Sequence, residues 1–259
     1  MPVTQPRTPP YALTTALIAL LTATIACSAP EQASDGATES AATESAVADP
    51  SAVVGLIASG EVVFAVFSGA TTLEEGALSG LGEELDLVFH SVESGPFDPL
   101  VLRVPPIGED VEAAAANVAG ALDQGAVAIF FPRVESAGEA AVAVAAMGDD
   151  HWPGDPSSSR FSMLIVETRA GVERVDEIVG TEGVGVVFAG PDDLRQSYGD
   201  DMEAVEAAIQ RVLAACRAHQ VPCGITAGVD DIAGRIEQGF RMIIVSDSAA
   251  LMAGRAAAG

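Results

Sequence analysis

The sequence predicts a (β/α)8 TIM-type barrel over residues 53–259, and three features carry that expectation. Short apolar runs alternate with Ala-rich helical stretches along the whole region. The runs are nearly continuous in Val, Ile and Phe, which is how strands buried on both faces read. Polar residues gather just after several runs, where a barrel carries its active site.

In order, the strand candidates are Val62–Phe67, Asp86–His90, Leu100–Val104, Val127–Phe131, Met163–Thr168, Gly185–Ala189, Pro222–Thr226 and Met242–Ser246. Between them lie helical patterns at Asp110–Gln124, Ser136–Met147, Ala170–Val179, Met202–His219 and Val229–Gln238. Gly125, Gly180 and Gly239 stand just past three of these, as C-terminal caps do. Such alternation fits a closed barrel or an open doubly wound sheet. No Gly-x-Gly-x-x-Gly follows the first strand, so the dinucleotide form of the open sheet lacks its main signal.

The first 27 residues read as a lipoprotein-type signal. Arg7 and the free amine precede an apolar run, Tyr11 to Ala26, that is short for a membrane span. It ends in Thr24-Ile25-Ala26-Cys27, which resembles a bacterial lipobox and makes Cys27 the expected lipidation site. An uncleaved anchor or an ordinary cut nearby are the alternatives, and each exports the chain. The expected location is the cell envelope or periplasm, with membrane attachment only through the lipid. Residues 28–52 carry Glu31, Asp35, Glu39, Glu44 and Asp49 with no base or aromatic, and are expected to form a disordered acidic tether.

Composition excludes several chemistries. The net charge is −25, with no basic stripe, so nucleic acid is no partner. Every basic residue is arginine. Without lysine there is no Schiff-base aldolase, no pyridoxal chemistry and no ordinary P-loop. Cys216 and Cys223 could pair in an oxidising compartment, but read first as two small buried hydrophobes.

Charged residues stand at four strand ends that a barrel brings together. Arg103 closes the third strand, Asp123 precedes the fourth, Glu167 ends the fifth and Asp193 follows the sixth. Two carboxylates at adjacent strand ends suit a hard divalent cation, and an arginine opposite them suits an enolate or carboxylate. A helix N-cap or first-turn acid is the competing role for Glu167 and Asp193. Asp192 is expected to take the capping duty, leaving Asp193 free.

Three segments, in this order and spacing, resemble the HpcH/HpaI aldolase family of the phosphoenolpyruvate/pyruvate barrel superfamily. They are Pro132-Arg133-Val134-Glu135-Ser136-Ala137-Gly138-Glu139-Ala140, Val166-Glu167-Thr168 and Gly190-Pro191-Asp192-Asp193-Leu194. The resemblance covers nearly all of residues 53–259 and is strongest from Val101 to Asp247. It implies a metal-dependent carbon–carbon lyase (aldolase) that acts on a small 2-oxo acid such as pyruvate, and an aldehyde, through an enolate. Magnesium or manganese would sit on Glu167 and Asp193. Arg103 matches the arginine that stabilises the enolate, and Asp123 an acid that raises the basicity of the catalytic histidine. The backbone of Gly190, Pro191, Asp192 and Asp193 would cradle the substrate carboxylate. Family members often assemble by exchanging terminal helices, and the tail after Asp247 is short for such a homo-oligomer.

The sequence departs from the family at Ser91-Val92-Glu93-Ser94, where Ser94 stands in place of the usual basic histidine. Serine is no proton acceptor near neutral pH without a partner. Ile165 replaces a substrate-binding glutamine, and His151 and Trp152 lie in a shortened loop, where they are expected to cap an exposed turn, a substitute base and a lid aromatic being the alternative. His90 is nearest to the vacant base position and reads as a packed strand histidine. A second expectation therefore stands beside the lyase: a catalytically degenerate, envelope-anchored barrel that binds a metal and a small oxo-acid.

Overall fold

A computed structural model describes residues 50–68, 85–91, 101–108, 110–123 and 125–259. The signal, most of the tether, Glu93 and Ser94 lie outside these residues.

Eight parallel strands pair in sequence order and close on themselves. They are β1 (Val63–Ser68), β2 (Leu87–Ser91), β3 (Val101–Arg103), β4 (Ala128–Phe131), β5 (Phe161–Val166), β6 (Val186–Ala189), β7 (Cys223–Ala227) and β8 (Met242–Val245). Closure runs through Val63↔Met242 and Ala65↔Ile244. The helices among the described residues are α1 (Pro50–Ser59), α2 (Val111–Asp123), α3 (Ala137–Met147), α4 (Arg169–Glu173), α5 (Val175–Val179), α6 (Pro191–Ser197), α7 (Met202–His219), α8 (Ile232–Glu237) and α9 (Ser248–Ala258).

The strands read as unbroken apolar runs because both of their faces are buried. In β5, Phe161, Met163 and Ile165 fill the barrel while Leu164 and Val166 pack outward under the helices. In β6, Val186 and Phe188 point in, and Val187 and Ala189 point out. This period of two decides which residue just past each strand faces the mouth.

Local chemistry sets most helix starts. The Ser136 side chain accepts from Glu139 N–H at the start of α3, and Thr168 accepts from Gly171 N–H at α4. The expected single helix Ala170–Val179 is split at Arg174, whose guanidinium is drawn to the Glu135 carbonyl. The expected Val229–Gln238 helix begins only at Ile232, because Gly228 N–H donates to Asp231 Oδ1 and holds a turn there. Gly125 and Gly239 adopt the left-handed conformation expected of caps, at φ 93° and 100°; Gly180, at φ −74°, does not need it.

Two terminal helices close the barrel. Residues 50–52, expected in the tether, already belong to α1. Its Val53, Val54 and Ile57 are buried with the barrel interior and plug the end where the strands begin. At the other terminus, Arg255 of α9 bonds Asp86 at 2.9 Å and stacks over Phe64 at 4.6 Å, while Asp86 accepts from Phe64 N–H at 2.8 Å.

The expectation of two separate buried cysteines is overturned. Cys216 and Cys223 form a disulfide with their Cα atoms 5.8 Å apart. The left-handed Gln220 (φ 58°) ends α7 and folds the chain back, so the helix's last turn meets the first residue of β7. Closing so short a loop stabilises the fold by about 2 kcal/mol on the chain-entropy account.

Candidate functional site

The inward phase of β5 continues past Ile165 to Glu167, which is therefore aimed into the barrel mouth and is only 3% exposed. Thr168 takes the capping duty at this junction, so the Glu167 carboxylate is free of it. One strand over, the inward phase of β6 passes from Phe188 to Gly190. A Cβ at Gly190 would stand 2.8 Å from the Glu167 Cβ and 3.0 Å from its Oε2, so glycine is what lets the two strand ends approach. Asp193 follows in the first turn of α6 and lines the same cleft as the Glu167 carboxyl.

Burial, and next the charge of Asp193, push the Glu167 carboxyl up to about 7. Arg103, at the end of β3, opposes this from 3.9 Å with a half-exposed guanidinium. The Arg133 main-chain N–H also donates to Glu167 Oε1 at 3.0 Å. Burial outweighs both, because the N–H carries no charge and the guanidinium stands beyond close ion-pair range. Arg103, Glu167 and Asp193 line a cleft of about 120 Å³ whose floor is Phe67, Phe130, Ile165 and Phe188. The Phe130 ring meets Phe67 edge-on at 5.7 Å and Phe188 at 5.8 Å. A larger cavity, about 340 Å³, opens where the strands begin, beside the disulfide. It contains neither carboxylate.

The structure brings Arg103, Glu167, Gly190, Pro191, Asp192 and Asp193 around one cleft. It does not bring Asp123. That residue is the exposed last residue of α2 and precedes β4, whereas Glu167 follows β5. The four residues of β4 span roughly 13 Å, so Asp123 stands at the far end of the barrel. Residues before a strand gather at its bottom, and only those after it gather at the site. Asp192 does not cap α6 either: Gly190 is the N-cap, no side chain bonds there, and Asp192 is exposed in the first turn.

His151, expected in an exposed loop, is buried at the base instead. Its Nδ1 lies 2.6 Å from the Gly148 carbonyl and its Nε2 3.3 Å from that of Gly183. It precedes β5 and is therefore no base for the cleft. His219 pairs with Asp176 at 3.2 Å on the surface. The backbone of His90 pairs with Ser68 and Leu102 inside the sheet.

Among the described residues no group of three or more His, Cys, Asp or Glu side chains gathers around a point. The Glu167–Asp193 pair nonetheless fits a magnesium-like ion. It is an all-oxygen donor set of two neighbouring carboxyls on one cleft, and such ions keep several waters besides one or two carboxylates.

Two features of the site carry no motif. Arg133 follows β4, where the sequence leaves open a side chain facing the pocket or one paired at the surface; its left-handed backbone (φ 53°) and its main-chain bond to Glu167 have no sequence signal. The aromatic floor could have been read by counting in twos along β4 and β6 from Phe130 and Phe188.

Comparison with known proteins adds kinship to this geometry. The model of the HpcH/HpaI aldolase/citrate lyase family matches residues 88–252. A 5-keto-4-deoxy-D-glucarate aldolase of Citrobacter koseri is 38% identical over 95 residues, which cover 34% of this chain and 37% of that protein. The chain thus matches little more than a third of that relative's length. A crystal structure of an HpcH/HpaI aldolase/citrate lyase family protein from Burkholderia cenocepacia J2315 superposes with a TM-score of 0.61 and 25% identity, covering 80% of this chain and 97% of that one. The citrate lyase beta subunit of M. tuberculosis, complexed with oxaloacetate and magnesium, superposes at 0.57 with 17% identity, covering 76% and 97%, and shares the fold. With residues 88–252 matched, the chain belongs to the HpcH/HpaI aldolase/citrate lyase family.

Proposed function

We propose that this chain is a metal-dependent carbon–carbon lyase that forms or cleaves a 2-oxo acid through a pyruvate-type enolate. The observation that carries the reading is the buried Glu167 carboxyl, which lines one cleft with Asp193 and lies 3.9 Å from the Arg103 guanidinium. Glu167 and Asp193 would hold magnesium or manganese, whose charge would draw electron density from the substrate carbonyl. Arg103 is positioned to hold the 2-oxo acid and to offset negative charge developing on its oxygen. The main chain at Gly190–Asp193 lies open beside Glu167 because Gly190 has no side chain, and α6 has no capping side chain to occupy its first N–H groups. The aromatic floor excludes water from the reacting carbon.

A second reading is favoured by that same floor. Ile165 and the three phenylalanines supply no proton acceptor, and Ser94 stands in the sequence where the family places its base. A barrel that binds a metal and an oxo-acid without turnover fits these features.

The test uses the domain from Ala52 onward, stripped of metal. Magnesium or manganese is expected to raise its melting temperature, by roughly 5–10 °C at about 100 times Kd, and oxalate, an enolate mimic, to raise it further. Cleavage or condensation of 2-oxo acids in a following screen distinguishes lyase from binder. No shift with either metal would overturn both readings.

Export through the 1–27 signal and a lipid on Cys27 belong to the same proposal, supported by the Cys216–Cys223 disulfide, a bond that persists outside reducing compartments. Among the described residues no helix is long and apolar enough to cross a membrane. Alkylation under denaturing conditions, straight from lysed cells, is expected to find positions 216 and 223 blocked in the full chain and reactive once residues 1–27 are deleted. Reactive thiols in the full chain would sink the export reading.

A further inference from the structure

We infer that the cavity at the base of the barrel, where the strands begin, binds a small soluble phosphate monoester through Arg217 and Arg241. It lies at the opposite end of the barrel from the Glu167–Asp193 cleft and does not depend on how that cleft is read.

Charge is the first observation. The chain carries 37 acids against 12 basic residues. Yet the described residues that line this cavity of about 340 Å³ include Arg217 and Arg241 and no carboxylate. Glu61, which follows the lining residue Gly60, accepts from the Ser59 hydroxyl at 3.0 Å. Arg103, Arg160, Arg195, Arg235 and Arg255 pair with carboxylates. Arg217 and Arg241 bond only main-chain carbonyls among the described residues. A pocket of positive charge in so acidic a chain draws an anion.

Geometry is the second. Both guanidiniums rest on one turn, the link from α8 to β8. Arg217 Nη2 donates to the Gln238 carbonyl, and Arg241 Nη1 to the carbonyls of Ile236 and Phe240 at 3.0 and 2.9 Å. Gly239, at φ 100°, makes that turn, and a Cβ on it would stand 3.4 Å from Arg217 Nη2. A helix end carries at most about half a negative charge, so these carbonyls orient the arginines and leave most of their charge over. Each guanidinium is held through one nitrogen. Among the described residues Arg241 Nε and Nη2 have no partner, and that edge meets two oxygens of one anion. Arg217 Nε and Nη1 are likewise without one. The Cys216–Cys223 disulfide ties the last turn of α7, which carries Arg217, to β7 in the same wall, so the cavity is preformed.

The lining selects the ligand. Two guanidiniums match the charge and the oxygens of a phosphate dianion better than those of a carboxylate. Ile57, Leu213, Val221 and Pro222 supply apolar wall, and Trp152 an indole face, so the phosphate carries a hydrocarbon body. An anionic lipid surface repels a chain of net charge −25, which leaves a soluble ester as the ligand.

Trp152 is the sole tryptophan of the chain and lines the cavity, so its fluorescence reports on this site. The intact protein is titrated with n-butyl phosphate, with inorganic phosphate and butanol as the head and the body alone. Butyl phosphate is expected to change Trp152 emission saturably and to bind about 10-fold more tightly than inorganic phosphate, because its chain is buried as well. Butanol should have no effect at the same concentrations. Arg217→Gln and Arg241→Gln should each weaken the ester about 10-fold, and Arg217→Lys less. Arg217 is exposed, so its variants should fold as the wild type does and decide the matter if Arg241→Gln does not fold. Magnesium with oxalate, probes of the mouth cleft, should not displace the ester. No saturable change with butyl phosphate, full affinity in Arg217→Gln, or displacement by magnesium and oxalate would overturn the site. A response to phosphatidic acid vesicles without one to butyl phosphate would overturn the soluble ligand.

Discussion

Glu167→Gln is expected to abolish metal-dependent stabilisation while leaving the barrel folded, and Asp193→Asn to do the same less completely. Glu167 is the buried member of the pair, and among the described residues its carboxyl accepts from the Arg133 N–H, lines one cleft with Asp193 and makes a 3.9 Å contact with Arg103. An amide of the same shape can keep an oxygen toward Arg133, so packing in the cleft is preserved. It cannot supply a negative oxygen to a hard cation. Losing one of two charged ligands should weaken magnesium or manganese by more than about 100-fold, since disturbing the groups behind a ligand already costs 10- to 100-fold. The 5–10 °C rise expected for the wild type at about 100 times Kd should then vanish at the same concentration. Without metal, the Gln variant should melt no lower than the wild type above pH 7, because a buried charge beside Asp193 has been removed. A full metal shift in both variants would place the ion elsewhere in the molecule.

How much of this was legible in the sequence follows from burial and phase. All eight strands were legible because strands buried on both faces leave continuous apolar runs, as in Phe161–Val166 and Met242–Val245. Glu167 and Asp193 were legible as acids directly after two such runs. Asp123 is as near a strand in sequence as Arg103 or Glu167, but it neighbours the start of β4 and not its end, and that distinction places it at the opposite end of the barrel. The disulfide stands in the sequence only as the second of two readings, because its geometry depends on a left-handed Gln220, a conformation that no residue type announces there. The same holds for Arg133. α1 was hidden by its composition: small residues next to an Ala/Ser-rich tether look like more tether until the barrel's open end gives Val53, Val54 and Ile57 something to cover. Local signals therefore reported each element and its cap, whereas contacts made across the barrel left no local trace.

Metal affinity is expected to climb about tenfold per pH unit up to pH 7 and to flatten above it. The Glu167 carboxyl sits at about 7 in the folded protein against its ordinary 4.5, raised first by burial and then by Asp193. Below pH 7 a metal ion must displace that proton, and one proton released per ion bound gives the tenfold slope. From pH 8 to pH 5.5 the loss is about 30-fold. The metal-free protein should show the opposite trend. Because the folded value is raised, the folded state holds the proton more tightly than the unfolded chain does. That contribution to stability is fully present below pH 4.5, and it is lost as pH rises through 7. Its ceiling is about 3 kcal/mol, from a rise of roughly two and a half pH units. Melting curves at pH 5, 6, 7 and 8, with and without saturating manganese, measure both trends at once, and Glu167→Gln supplies the baseline for every other titrating group. The gap between the metal-loaded and metal-free wild type should widen steadily toward neutral pH and then stay constant. A gap that does not vary with pH would mean that a proton on Glu167 is not what the metal replaces.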